Sequence, residues 1–391
     1  VINDRPTITM TNWREPDMVR HAFQRIEEFQ PTALISRGAG PVADLPTALD
    51  AFDLGDLGDL RVSAELGTVR EVLDATETDS WLVLHRGRLL VEEYAAPMTA
   101  ATRHLLMSVS KSIVGAVVGA LVDRGVLDPS RPVADVVPEL AGSGYDGARL
   151  RDVLDMRSGV RFNEDYLDPE AEVCLLDESV GWAPRSHGGP ATLKDFLRRT
   201  VADRPHGGPF HYRSCETDVL GWICEAATGR PFAELASELL WSRLGAEADA
   251  AICVDGEGTG VFDGGICATA RDLARFGLML LHSGVSATGE RVLSSTWIDD
   301  IVAGEDDITA AFAAAPEASM LPGGSYRSQC WVPAGRETVM CVGIHGQFVY
   351  VDRAASAVIV KLSSWPMPWE GSRMAAALQL FAAVGDRLRR A

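Results

Sequence analysis

Residues 108–125 read SVSKSIVGAVVGALVDRG, and this stretch decides the fold. From Ser108 to Asp123 almost every residue is apolar or small, and Gly125 follows as a C-cap. A helix apolar on all sides predicts a buried central element. Ser108 and Lys111 lie one turn apart and share a face of it. A serine hydroxyl becomes a nucleophile when a base takes its proton. Burial disfavours the charged form of a lysine, so the Lys111 pKa is expected to fall toward the range of a base. The helix N-terminus adds backbone N–H groups and the positive dipole end, which suit a developing oxyanion. The bland alternative is a capping serine and a solvated lysine, since Ser-x-x-Lys arises often by chance. Two facts weigh against it: the apolar helix, and the scarcity of lysine. Of 36 basic residues only Lys111, Lys194 and Lys361 are lysines. Arginine cannot act as a base, whereas a buried lysine can.

Working outward, residues 81–94 read WLVLHRGRLLVEEY, two β-rich runs around a turn at 85–87. Strand-like runs recur at Val339 to His345, Phe348 to Val351 and Ala357 to Leu362, and a helix over 371–389 follows. Further helices fit Asp17 to Phe29, Leu150 to Met156, Thr192 to Ala202, Glu216 to Thr228, Ala270 to Ser283 and Ser295 to Val302. Gly, Pro and Asp cluster from Arg37 to Asp59. Phe162 to His187 has no clear period, and a loop of that length in a compact domain is usually functional. Strands at both ends and helices between predict an α/β (α+β) fold, one antiparallel sheet built from N- and C-terminal segments and flanked by helices, with an all-helical insert. The expected division is a single catalytic unit over 1–391. About 1–135 and 265–391 form the α/β part, and about 136–264 the mainly helical part with loop 162–187.

The 391 residues carry a formal charge of −19, which argues against nucleic acid as a partner. An apolar share of 47% excludes a disordered chain. No apolar run reaches the ~18–20 residues of a membrane span, and the first residues lack a secretory pattern. Seven cysteines, an odd number without a CxxC pair, read as reduced thiols in a cytoplasmic protein. No metal or cofactor motif is present: HExxH, a Walker loop and the G-x-S-x-G elbow are all missing. Tyr212, just before a helix, is a candidate proton relay beside a buried lysine; the alternative is a packing aromatic. His345, beside a strand, reads as a base, a pocket-lining residue or a structural histidine.

Ser108-x-x-Lys111, Tyr212-x-Ser214 and a glycine-bearing C-terminal strand together resemble the serine β-lactamase and penicillin-binding-protein superfamily. The class C and family VIII carboxylesterase branch is the nearest match, through LRDVLDMRSGV (150–160) and TDVLGWICEAATGRPF (217–232). Longer runs resemble its nylon-oligomer (6-aminohexanoate-dimer) hydrolases: HLLMSVSKS (104–112), FNEDYLDPEAEV (162–173), GGICATARDLAR (264–275), GIHGQ (343–347) and VIVKLSSWP (358–366). The likeness spans nearly the whole chain. It implies a β-lactamase-like fold with Ser108 as nucleophile, Lys111 as its base and Tyr212 passing the proton to the leaving group. It implies an oxyanion hole from the N–H groups of Ser108 and Ile344. It places Tyr166, Asp177, Trp182, Asp263, Trp331 and His345 around the substrate, with Tyr166 on the amide, Asp177 on a terminal ammonium and Trp182 on a closing loop. Cys341-Val342-Gly343 occupies the place of the superfamily's Lys-Thr-Gly motif; loss of its lysine argues against a β-lactam carboxylate. Asp263, Arg213, Glu216 and the 174–176 segment depart from the pattern.

The expected function is therefore a serine hydrolase acting through an acyl-enzyme on an ester or linear amide. An acyltransferase using the same acyl-enzyme, with Arg213 and Glu216 serving an amine acceptor, is the alternative. A catalytically dead binding protein would predict damage to Ser108, Lys111 or Tyr212, and all three are present. The expected partner is a small-molecule ester or amide, with no nucleic acid, no membrane and no cofactor or metal; pairing into a homodimer is left open.

Overall fold

The computed structural model describes residues 6–48, 56–335 and 337–391. The start of the chain and part of the Gly/Pro/Asp-rich stretch, at 49–55, lie outside the described residues.

The hairpin at Thr78–His85 and Arg88–Tyr94 turns through Arg86 and Gly87, both at positive φ. It pairs with the C-terminal strands in one antiparallel sheet of seven. Across it run Arg88–Tyr94, Thr78–His85, Ala357–Ser363, Gln347–Asp352, Thr338–Gly343, Cys330–Val332 and Ser325–Arg327. The two-residue period sorts side chains between two cores. Leu82, Leu84, Val349, Val351, Val358 and Val360 share a core with the helix Val109–Asp123. Trp81, Val83, Phe348, Tyr350 and Ile359 face the C-terminal helix Gly371–Arg389. Both faces are covered, so these strands read as almost continuous apolar runs.

The helix Val109–Asp123 is buried at every position from Val109 to Leu121, as its all-round apolarity requires. Two glycines let neighbours approach it. A Cβ at Gly119 would stand 2.6 Å from Trp297, and one at Gly115 would stand 2.7 Å from the Ser328 carbonyl. Thr269 and Ser294 cap the helices Ala270–Leu281 and Ser295–Val302 by accepting from the N–H groups of Asp272 and Trp297.

Several expectations need correction. The helix expected over Asp17 to Phe29 is broken into Val19–Phe23 and a tight turn, Ile26–Glu28, because Arg25 leaves helical geometry (φ −143°, ψ 19°). The aperiodic segment 162–187 contains a helix, Glu172–Ser179, whose apolar residues Val173, Cys174, Leu175 and Leu176 are consecutive and so show no helical period. The helix expected over Thr192 to Ala202 is Leu193–Arg198. A second, four-stranded sheet was not foreseen; it joins Thr32–Ile35, Ala250–Cys253, Ile266–Ala268 and His104–Leu105. Its strands have two to four residues, below the length at which alternation can be read. It matters because His104–Leu105, anchored on Ile266 by the Leu106 N–H (2.9 Å), delivers the chain directly to Ser108.

All seven cysteines are free thiols. Among the described residues no group of side chains could hold a metal ion, and no helix is long and apolar enough to cross a membrane.

Phe381 is fully buried and stacks on Tyr350 at 5.0 Å, and its ring lies 5.2 Å from that of Phe348. Phe381→Ala should therefore lower stability by about 3–5 kcal/mol, read as a fall in the urea unfolding midpoint with an unchanged slope.

Candidate active site

Ser108 stands at the N-terminus of the helix Val109–Asp123, largely shielded from solvent. The residue before it, Met107, is held at φ 47°, a left-handed conformation costly for a side chain of its size. Gly343 closes the other side. A Cβ there would lie 2.6 Å from the Leu106 carbonyl and 3.0 Å from the Ser108 nitrogen, so no larger residue fits without moving Ser108. The following turn is pinned by Gln347. Its side-chain amide donates to the carbonyls of His345 (3.1 Å) and Ser363 (2.7 Å), and its carbonyl accepts from the Ser363 N–H (3.1 Å).

Lys111 is buried, and its ammonium donates to Ser108 Oγ (2.9 Å), Ser214 Oγ (3.1 Å) and the Asp263 carbonyl (2.8 Å). An ammonium has three protons, and here each has an acceptor. Burial pushes its pKa down, as the sequence suggested, but Tyr212, Asp263, Glu164 and Asp218 together outweigh burial and raise it above the ordinary lysine value. The expectation of a lowered pKa is thus corrected: the apolar helix was legible, the acids from three other segments were not.

Tyr212 stands over this lysine, with Nζ 5.3 Å from the ring centre and its hydroxyl within reach of Ser108 and Lys111. Burial raises its pKa and Lys111 opposes that rise. Trp331 stacks on the ring at 5.5 Å and 24°. Ser214 and Glu164 extend the cluster without having been assigned roles from sequence. Glu164 accepts from the Ser214 N–H (2.9 Å), Ser214 Oγ (2.5 Å) and the Tyr166 hydroxyl (2.7 Å). Burial raises the Glu164 pKa, with Lys111 opposing. Both residues stood inside the quoted motifs, but only the fold brings them together from fifty positions apart. Behind them Asp218, fully buried, accepts from the N–H groups of Phe262 and Asp263 (3.1 Å each). Burial raises both carboxyls, Asp218 and Asp263.

Ser108, Tyr166, Tyr212, Trp331 and Ile344 line one cavity of about 640 Å3 with Glu164. Asp177, Trp182 and Asp263 are not in its wall. The Asp263 carboxylate stands 3.9 Å from the ammonium. Asp177 already has a cation: Arg14 donates to it at 2.5 Å and lies over the rings of Trp13 (4.4 Å) and Trp182 (5.4 Å). Trp182 packs edge-on against Trp13 at 5.3 Å and lies against Gly264.

Two expectations fail on burial. His345 does not line the pocket. Its ring is fully buried, bonds the Trp365 carbonyl through Nδ1 (2.6 Å) and meets the Phe23 ring edge-on at 5.1 Å. Burial pushes its pKa down to about 4, so it is neutral. Its φ of 59° explains its place: it shapes the turn after Ile344. Arg213 and Glu216 cannot meet an acceptor. Both are fully buried and paired with each other at 3.3 Å, and Ser158 also donates to Glu216.

A family model for Beta-lactamase matches residues 67–383. The 6-aminohexanoate-dimer hydrolase of Paenarthrobacter ureafaciens is 43% identical over 376 residues, covering 93% of this chain and 91% of that one. Among solved structures, a Bacillus anthracis protein provisionally described as a 6-aminohexanoate-dimer hydrolase superposes with a TM-score of 0.86 at 26% identity, over 100% of this chain and 98% of that one. A family VIII carboxylesterase superposes at 0.60 with 16% identity, over 83% of this chain and 98% of that one, a likeness of fold alone.

Gly343→Ala puts a methyl group against the Ser108 nitrogen. It should slow labelling of Ser108 by a fluorophosphonate by about 10²–10³-fold, with the circular dichroism spectrum unchanged.

Proposed function

The chain belongs to the Beta-lactamase family, and on that premise we propose that it hydrolyses a carboxylic ester or linear amide through an acyl-enzyme on Ser108. It is a serine hydrolase resembling 6-aminohexanoate-dimer hydrolase. The observation that carries the finer reading is the 2.9 Å contact between Lys111 Nζ and Ser108 Oγ, with the Tyr212 hydroxyl beside both.

In this reading Ser108 Oγ attacks the carbonyl carbon while its proton passes to neutral Lys111. The N–H groups of Ser108 and Ile344 receive the oxyanion. The bond to the leaving oxygen or nitrogen then breaks. Tyr212 protonates the leaving atom and recovers its proton from Lys111. Water attacks the resulting ester in the second half, releasing the acid and restoring Ser108. Ser214 and Glu164 hold the ammonium in place between the steps. Asp177 and Asp263 already face cations, Arg14 and Lys111, so neither carboxylate stands free for a cationic substituent of the substrate.

Ser108→Ala should abolish turnover of a p-nitrophenyl ester, and undiminished activity would sink the assignment. Lys111→Arg keeps the charge but not the base, so kcat should fall by about 10²–10⁴-fold. Incubation of an ester with candidate amines should release free acid; amide as the main product would identify an acyltransferase instead.

The charge state of Lys111 gives a further prediction. Its net-raised pKa keeps it protonated at neutral pH, so kcat/KM should climb as pH rises. Asp263 is one of the groups holding the proton on. Asp263→Asn should therefore lower the Lys111 pKa and move the rising limb to lower pH by about one pH unit, measured as a kcat/KM profile.

A further inference from the structure

The cavity over Ser108 is unlike the acidic side of the same site. Beyond Tyr212 and Trp331 its walls are Val342, Met320, Met374 and Leu378, the last two from the C-terminal helix Gly371–Arg389. Trp369 stands at its rim and remains 49% exposed, an apolar surface that the protein itself leaves uncovered. Isolated exposed apolar residues are ordinary; one at the mouth of an apolar cavity marks area for a ligand. Tyr212 and Trp331 present stacked rings, and Met320 and Met374 bring thioethers, which make favourable contacts with aromatic rings.

Charge narrows the occupant further. Among the described residues the ionisable carboxyl groups in the wall are Glu164 and Glu317, and no lysine, arginine or histidine lines it. One oxygen of Glu317 is buried without a hydrogen-bond partner. A carboxylate brought here would meet two acids in the wall, and the nearby Lys111 ammonium is already bonded to Ser108, Ser214 and Asp263, so the charge would go uncompensated.

We propose that this cavity is the leaving-group subsite and that it takes an uncharged aryl or arylalkyl group, rejecting leaving groups that carry a carboxylate. The leaving side is assigned because Tyr212, which protonates the departing atom, forms the wall; on this point the inference rests on the acyl-enzyme reading above.

The test compares benzyl acetate with 4-carboxybenzyl acetate, which share one acyl group. Benzyl acetate should be turned over with at least about tenfold higher kcat/KM. Ala375, exposed on the C-terminal helix and part of the wall, offers a reversal. Ala375→Arg should reduce that preference by about tenfold or more. Calorimetric titration with benzyl alcohol and 4-(hydroxymethyl)benzoate reads the same subsite without turnover. Tighter binding of the alcohol, with the order reversed in Ala375→Arg, is the expected result. Equal kcat/KM for the two esters, or equal binding of the two alcohols unaffected by the variant, would overturn the subsite. Loss of ester turnover together with the expected binding order would instead overturn only the acyl-enzyme reading.

Discussion

One buried ammonium ties the active site together. Lys111 Nζ donates to Ser108 on its own helix, to Ser214 on the helix Ser214–Thr228, and to the carbonyl of Asp263 in the segment leading to the second sheet. A charge removed from water is tolerated only where its protons are met and opposite charge stands nearby. Glu164, Asp263 and Asp218 supply that charge from segments far apart in the chain. The lysine thus fixes where three parts of the fold must meet, and the acids that hold it also set how readily it can release a proton.

A second constraint is steric. The strand Thr338–Gly343 runs into the start of the helix Val109–Asp123, and only glycine at 343 allows that contact. On either side the backbone is strained, at Met107 and at His345. Such strain persists where surrounding structure over-determines it. Here the supports are identifiable: Leu106 hangs on Ile266, and Gln347 clamps the 343–347 turn to Ser363. Lys361, without a role in the sequence reading, belongs to this support. Its fully buried ammonium donates to Ser363 Oγ at 2.5 Å, and burial pushes its pKa down to about 7. Lys194 is the ordinary case, half-exposed and 3.5 Å from Glu225.

Much of the fold was legible because its signals are local. The helix Ser295–Val302 and the terminal helix Gly371–Arg389 stand where apolar spacing put them. The hairpin around 85–87 and the three C-terminal strands follow from β-rich runs separated by turns. What escaped reading was short or non-local. The second sheet has strands too brief for a period, and the helix Glu172–Ser179 sits in a segment rich in acids. His345 was misplaced because a glycine-flanked histidine beside a strand looks the same whether its ring faces a pocket or a core. Arg213 and Glu216 read as groups for an amine acceptor, yet each is the other's buried partner.

The sequence by itself determined the buried apolar helix, its Ser108–Lys111 face and the family to which the chain belongs, since these depend on residues a turn apart and on long matching runs. Only the tertiary structure decided the protonation of Lys111, the engagement of Asp177 by Arg14, and the division of the site into an acidic side and an apolar cavity. Those properties depend on charges and surfaces contributed by distant segments. Electrostatic energy depends on distance in space, and spacing along the chain does not report it.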